Sequence, residues 1–145
     1  MKVPETVPEK VLIYATSARG LLVFDEPDFP EVPIQVPGGT VDAGEELLAA
    51  ASREFHEETG LTGCSAFRFL GTADYHLLRD GVSRIIRRSY FHLSLEGDLP
   101  ESWHHTEETP SDGGPAVLFR LFWLDLAEAR SRLGLGMAEY LDRLS

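Results

Sequence analysis

Hydrophobic and polar positions along the chain follow strand-like patterns in several places. β-Branched and aromatic runs at residues 10–16 and 21–24 are separated by a break at Arg19-Gly20, and together they predict a β-hairpin. Shorter or alternating apolar segments predict further extended segments at residues 34–36, 66–71, 85–95 and 116–124. Proline-rich or polar stretches predict loops at residues 25–33 and 96–115.

Helical patterns occupy the middle and the end of the chain. Residues 45–59 are rich in alanine, leucine and glutamate, and Gly60 stands where a C-terminal cap is expected. Residues 126–144 predict one or two helices broken near Gly134 and Gly136. Strands and helices are thus interleaved, which predicts an α/β sandwich.

The helix at residues 45–59 departs from a simple amphipathic pattern. At about 100° per residue, one apolar stripe contains Leu47, Leu48, Ala51 and Phe55. The neighbouring face carries Glu54, Glu57 and Glu58. Because Glu58 falls between Leu47 and Ala51, an acidic side chain enters the stripe that should meet the core. A solvated acidic surface, which is the simpler interpretation of most glutamate pairs, does not account for that position.

Three carboxylates on one partly buried face repel one another, and burial raises the cost of their charge. Divalent cations are the natural compensation, since Mg²⁺ and Mn²⁺ prefer carboxylate oxygens. Arg53 lies beside this face and can orient a carboxylate by pairing with it or with Glu45. Ahead of the helix, Gly38 and Gly39 allow close backbone approach to a cation or a phosphate.

These residues together match the 23-residue motif of the Nudix hydrolases, and the chain resembles that family. The motif runs from Gly39 through Glu45, Arg53-Glu54 and Glu57-Glu58 to Gly60-Leu61, and every fixed position is present. The resemblance implies an α/β/α sandwich with a central mixed β-sheet. It implies that Glu54, Glu57 and Glu58 bind Mg²⁺ or Mn²⁺, often with the Gly38 carbonyl, and that Glu54 or another glutamate acts as general base. Gly39, Glu45 and Gly60 would be structural.

The length and net charge of the chain limit the kinds of molecule that it is expected to bind. A chain of 145 residues fits one domain, here residues 1–145, and its formal charge of −11 argues against general nucleic-acid binding. A small polyanionic substrate would need local cations in such a field. The sequence has neither a signal-peptide pattern nor a membrane-spanning apolar run, so a cytoplasmic location is the default expectation. An oligomer is compatible with the sequence.

Cations outside the motif are candidates for substrate contacts. Arg84, Arg87 and Arg88 lie on or beside the strand predicted at residues 85–95, although Arg87 and Arg88 must face opposite sides. Tyr75 can stack on a base. Surface ion pairing and ordinary packing are the alternatives for these residues.

The resemblance also implies an additional acidic ligand or base from the loop predicted at residues 96–115. Glu107, Glu108 and Asp112 are the candidates there.

The predicted function is hydrolysis of a pyrophosphate linkage in a nucleoside di- or triphosphate or a nucleoside diphosphate derivative. Three alternatives are a non-catalytic nucleotide sensor of the same fold, an enzyme that processes RNA or its cap, and a purely structural interaction protein. The complete set of motif acids argues against a non-catalytic sensor, and the negative net charge argues against an RNA-processing enzyme. A purely structural protein would leave the clustered acids unexplained.

Overall fold

The computed structural model describes residues 7–108 and 113–144. Within them lie seven strands: β1 (Glu9–Ser17), β2 (Gly20–Asp25), β3 (Gly38–Thr40), β4 (Phe67–Arg79), β5 (Val82–Ser94), β6 (Ser102–Glu107) and β7 (Val117–Leu124). The same residues contain two α-helices, α1 (Leu47–Thr59) and α2 (Leu126–Arg132), and a 3₁₀ helix, Leu141–Arg143.

The strands form one mixed sheet in the order β4-β5-β1-β2-β7-β6, with β3 paired to β1. The β1–β5 pair is parallel, and the other strand pairs are antiparallel. β1 is central and buried on both faces from Val11 to Ala15, which is why it has a continuous apolar sequence rather than an alternating one.

Each face of the sheet carries its own apolar core. On one face α1 contributes Ala50, Ala51 and Phe55 to a cluster with side chains of β1, β2, β5 and β7. On the other face α2 and the C-terminal segment supply Ala129, Met137 and Leu141. The predicted α/β/α sandwich with a central mixed sheet is therefore confirmed.

Helix α1 differs from its prediction at the N-terminal end. It begins at Leu47 rather than at residue 45, because the Glu45 carboxylate accepts hydrogen bonds from the Asp42 amide and the Arg53 side chain instead of extending the helix. Leu48, predicted within the apolar stripe, is 51% exposed, whereas Leu47 of the same turn packs against the core. The C-terminal end is as predicted, with Gly60 at φ 76°.

Two predicted boundaries in the sheet were wrong. β4 runs to Arg79 rather than ending at residue 71, and β5 begins at Val82 rather than at residue 85. The two strands meet at a tight turn at Asp80-Gly81, because cross-strand pairing sustains this largely exposed hairpin. The loop predicted at residues 96–115 contains β6, which pairs antiparallel with β7. Among the described residues, none of the helices has the length and apolar character that crossing a membrane requires.

Candidate active site

Helix α1 and strand β6 bring three carboxylates together. Glu54 and Glu57 come from the helix, and Glu107 comes from the end of β6. One oxygen atom of each lies within 4.8 Å of the oxygen atoms of the other two. The structure therefore joins two predicted metal ligands to one of the three candidate acids outside the motif.

Glu54 is the most enclosed member of this cluster, with 1% of its surface exposed. A Cβ added to Gly39 would lie 2.1 Å from Glu54 Oε2, so only glycine at position 39 leaves room for the carboxylate. Burial raises the pKa of Glu54 to about 7 in the metal-free protein. The Arg53 guanidinium opposes this rise, and the neighbouring charges of Glu57 and Glu107 add to it.

Glu58 lies beside the cluster on the buried face of α1, where the sequence places it. Its Oε1 accepts a hydrogen bond of 2.5 Å from the Gly38 amide. Burial raises the pKa of Glu58 well above its ordinary value, although the Gly38 amide works in the opposite direction. Gly38 thus contributes its N–H to a carboxylate, whereas the sequence resemblance implies a role for its carbonyl at the metal.

Arg53 ties the loop before α1 to the carboxylates on it. Its Nε and Nη2 donate to the two oxygens of Glu45 at 2.9 and 2.8 Å, and its Nη1 donates to Glu54 at 2.8 Å. Nη2 also donates to the Thr40 carbonyl at 3.0 Å. These bonds lower the pKa of Glu45 to about 2 and raise that of Arg53. Arg53 therefore links Glu45, the Thr40 carbonyl and Glu54 through hydrogen bonds from one guanidinium group.

Strand β6 is anchored on the C-terminal end of α1. Trp103 Nε1 donates to the Thr59 carbonyl, and His105 Nε2 donates to the Glu57 carbonyl, both at 2.8 Å. Every second residue of β6 therefore faces the helix, and Glu107 is next in that series. This alternation was a signal in the sequence that the loop prediction passed over.

The other two candidate acids are not brought to the cluster. Glu108 is exposed, one residue past the end of β6. Asp112 lies outside the described residues.

The acidic cluster suits a hard divalent cation. Its donors are carboxylate oxygens from two elements, and the glycine strand β3 leaves the space in front of Glu54 free of side chains. A cation there would relieve the repulsion among Glu54, Glu57 and Glu107. The residues present therefore fit Mg²⁺ or Mn²⁺.

A cleft of about 530 Å³ extends from the carboxylates across the sheet. Glu54, Glu58 and Glu107 line it together with three cationic residues, Lys10, Arg79 and Arg88. Its apolar lining includes Leu12, Val36, Leu77, Ile86, Leu135 and Met137. Lys10, Arg79 and the C-terminal residues were not among the predicted site residues, because the fold alone brings them to the cleft.

The residues predicted to bind substrate lie on two different faces of the β4–β5 hairpin. Arg88 is 4% exposed, and its guanidinium carbon lies 3.7 Å from the centre of the Tyr75 ring, so both line the cleft. Arg87 points away and pairs with Asp74 at 2.9 Å, which lowers the pKa of Asp74. Arg84 is exposed near the tip of the β4–β5 hairpin.

Comparisons with known proteins agree with this architecture. A MutT NUDIX hydrolase from Burkholderia pseudomallei superposes with a TM-score of 0.72 at 18% identity, covering 97% of this chain and 100% of that one. The NUDIX domain of Shewanella oneidensis NrtR, solved with ADP ribose, gives 0.67 at 13% identity and covers 97% and 90%. A MutT protein from Methanosarcina mazei gives 0.65 at 16% identity and covers 98% and 95%.

These identities are low, so the structural likeness concerns the fold. Among curated proteins, no sequence matches this chain significantly. The NUDIX domain family model, however, matches residues 8–144, nearly the whole chain. With that match and the complete glycine–glutamate motif in the described geometry, the chain belongs to the Nudix family.

Proposed function

We propose that this protein is a divalent-metal-dependent hydrolase that cleaves a pyrophosphate linkage in a nucleoside di- or triphosphate or a nucleoside diphosphate derivative. The observation that carries the proposal is the convergence of Glu54, Glu57 and Glu107 oxygens within 4.8 Å at a cleft. Members of the Nudix family are pyrophosphohydrolases, and no acid of the family motif is missing here. Mg²⁺ or Mn²⁺ as the cofactor and a cytoplasmic location are parts of the proposal that come from the sequence.

The charges of the cleft support a phosphorylated substrate. The chain has a formal charge of −11, yet Lys10, Arg79 and Arg88 line the same cleft as the carboxylates. Cations at a low-dielectric surface attract and orient phosphate oxygens far better than the same charges in bulk water. A pyrophosphate can therefore lie between the acidic cluster and Lys10, which lies one strand away from the glycine strand.

The residues around the cluster have distinct roles in the proposed reaction. Mg²⁺ or Mn²⁺ held by Glu54, Glu57 and Glu107 would neutralise charge on phosphate oxygens and lower the pKa of water. Glu54 is a carboxylate that can bind the cation or accept a proton from water, and Arg53 Nη1 fixes its orientation by donating to it at 2.8 Å. Glu58, held by the Gly38 amide, keeps α1 in register with the glycine strand.

The decisive experiment is a substrate panel of nucleoside di- and triphosphates and nucleoside diphosphate derivatives. Each compound is incubated separately with Mg²⁺ and with Mn²⁺, and the products are identified by mass. Glu57→Gln should lower kcat by at least about a hundredfold with unchanged folding, since it removes one of three converging ligands. Glu46→Gln, the same substitution at an exposed position just before α1, is the matched control and should keep full turnover.

One other function has an observation in its favour. The Shewanella NUDIX domain was solved in complex with ADP ribose, which is compatible with ligand sensing by this fold. Tight binding of one compound of the panel without turnover under either metal would support a sensor. Full turnover by the Glu57→Gln variant would contradict the assignment of the acidic cluster.

A further inference from the structure

Leu135 has a backbone conformation that its side chain disfavours. Its φ is 55°, in the left-handed region, and among the described residues Asp80 is the other non-glycine with positive φ. A Cβ in this region approaches the following carbonyl, so the conformation lowers stability relative to glycine. A residue keeps such a conformation only where the surrounding structure or a function holds it there.

Core packing does not account for a leucine at this position. Leu135 is 38% exposed and belongs to neither apolar core cluster of the described residues. Both neighbours, Gly134 and Gly136, are glycines. A third glycine at position 135 would adopt the same backbone conformation as Leu135 without the steric cost of a side chain. The leucine side chain therefore has a reason to be present other than the fold.

Leu135 lines the cleft that contains the carboxylates, and 38% of its surface is exposed. Its backbone is fixed there by Arg88, whose Nη1 donates to the Leu135 carbonyl at 2.6 Å. Arg88 in turn lies 3.7 Å from the Tyr75 ring centre, and a Cβ on Gly136 would lie 3.2 Å from the same ring. The leucine is thus held rigidly at the surface of the cleft.

This part of the cleft is apolar and lies apart from the acidic cluster. In the sheet register Arg88 pairs with Lys10, and Lys10 pairs with Thr40 of the glycine strand. Two strand spacings, roughly 10 Å, therefore separate the Arg88 position from that strand. Leu77, Ile86 and Met137 are further apolar residues that line the same cleft as Leu135.

We propose that Leu135 is a specificity-determining residue that packs against the nucleobase of the substrate while the pyrophosphate lies at the carboxylates. A base has apolar faces, and the sugar of a nucleotide provides the separation between base and phosphates that the cleft offers. Arg88, which donates to the Leu135 carbonyl, is a positioning residue for Leu135. This inference rests on the proposed function for the position of the pyrophosphate.

The test compares compounds with and without a base. The four common nucleoside triphosphates and inorganic tripolyphosphate are assayed with Mg²⁺ on the wild type and on Leu135→Gly and Leu135→Asn. Both variants tolerate positive φ, so Tm should not fall. The kcat/KM for the preferred nucleotide should fall about tenfold, mainly through KM, with tripolyphosphate unchanged.

Two matched variants distinguish the loss of an apolar side-chain contact from the release of a strained backbone conformation. Leu135→Met keeps an apolar side chain and should keep the wild-type preference within about twofold. Asp80→Gly relieves the other left-handed residue, at the turn of the β4–β5 hairpin, and should leave the preference unchanged. The inference would be overturned if Leu135→Gly lowered kcat/KM equally for the nucleotide and for tripolyphosphate. It would also be overturned if Leu135→Gly left the preference among the nucleotides unchanged.

A second readout keeps the inference independent of turnover. If no compound of the full panel, nucleoside diphosphate derivatives included, is hydrolysed, the proposed enzymatic function fails, and calorimetry with ADP, GDP, CDP, UDP and pyrophosphate replaces the assay. Weaker nucleotide binding by Leu135→Gly, with pyrophosphate binding unchanged, then supports the base contact. Identical nucleotide affinities in wild type and variant, or no binding of any nucleotide, refute it.

Discussion

Replacing Glu54 by glutamine should change how the stability of the metal-free protein depends on pH. Glu54 is almost fully buried, and its pKa is raised from 4.5 to about 7 chiefly by that burial. The folded protein therefore keeps a proton that the unfolded chain releases above pH 4.5. The resulting stabilisation is complete below pH 4.5 and is lost as the pH rises to about 7.

The size of the effect follows from the pKa difference. At about 1.4 kcal/mol for each pH unit, the rise from 4.5 to about 7 corresponds to about 3 kcal/mol of unfolding free energy. Glutamine has the same shape, carries no charge and can still accept the Arg53 hydrogen bond. Glu54→Gln should therefore match the wild type at pH 4.5 and exceed its stability by about 3 kcal/mol at pH 8.

The assay is urea unfolding in EDTA at several pH values between 4.5 and 8. Taking the difference between variant and wild type removes the general effect of titrating this acidic chain. Glu45→Gln is a control of opposite sign, because the pKa of Glu45 is lowered to about 2 by its bonds to Arg53, and this variant should be less stable at pH 8. A difference between Glu54→Gln and wild type that stays constant with pH would refute the reasoning.

Three further outcomes follow from the same geometry. Gly39→Ala should weaken Mg²⁺ uptake measured by calorimetry, and kcat with it, because the new Cβ would lie 2.1 Å from Glu54 Oε2. Urea unfolding should distinguish the two adjacent arginines. Arg88→Met should lower the free energy of unfolding by about 2 kcal/mol, since it removes a buried charged donor. Arg87→Met should change that free energy little, because it breaks only an exposed pair with Asp74. Association with a long RNA should be weak and nearly independent of salt, given the net charge of −11; a steep salt dependence would contradict this.

The sequence predicted the parts of the site that depend on local spacing. Glu54, Glu57 and Glu58 lie close together because helical geometry places residues three and four apart on one side. Gly60 ends the helix because a left-handed residue is needed there, and its φ of 76° fits. The central strand β1 was recognisable because burial on both faces requires a continuous apolar run.

The fold itself could be predicted only in part. The length of the β4–β5 hairpin depends on pairing between Leu77 and Arg84 and their neighbours, and the apolar alternation in β4 is limited to Ala73, Tyr75 and Leu77. Strand β6 exists because it pairs with β7 and packs Trp103 and His105 on α1. Strand pairing is not local, so the sequence pattern alone did not establish either feature, although the alternation of Trp103, His105 and Glu107 was a signal for β6.

Tertiary structure decided which residues join the carboxylates. Glu107 reaches Glu54 from more than fifty residues away, and Lys10 comes to the same cleft from β1. The sequence named Arg87 and Arg88 together, but only the sheet shows that Arg88 faces the cleft and is engaged by the Leu135 carbonyl. The backbone of a helix fixes the relative positions of residues that are close in the sequence. Strand pairing and core packing decide which distant residues lie opposite them, and a short stretch of sequence does not contain that information.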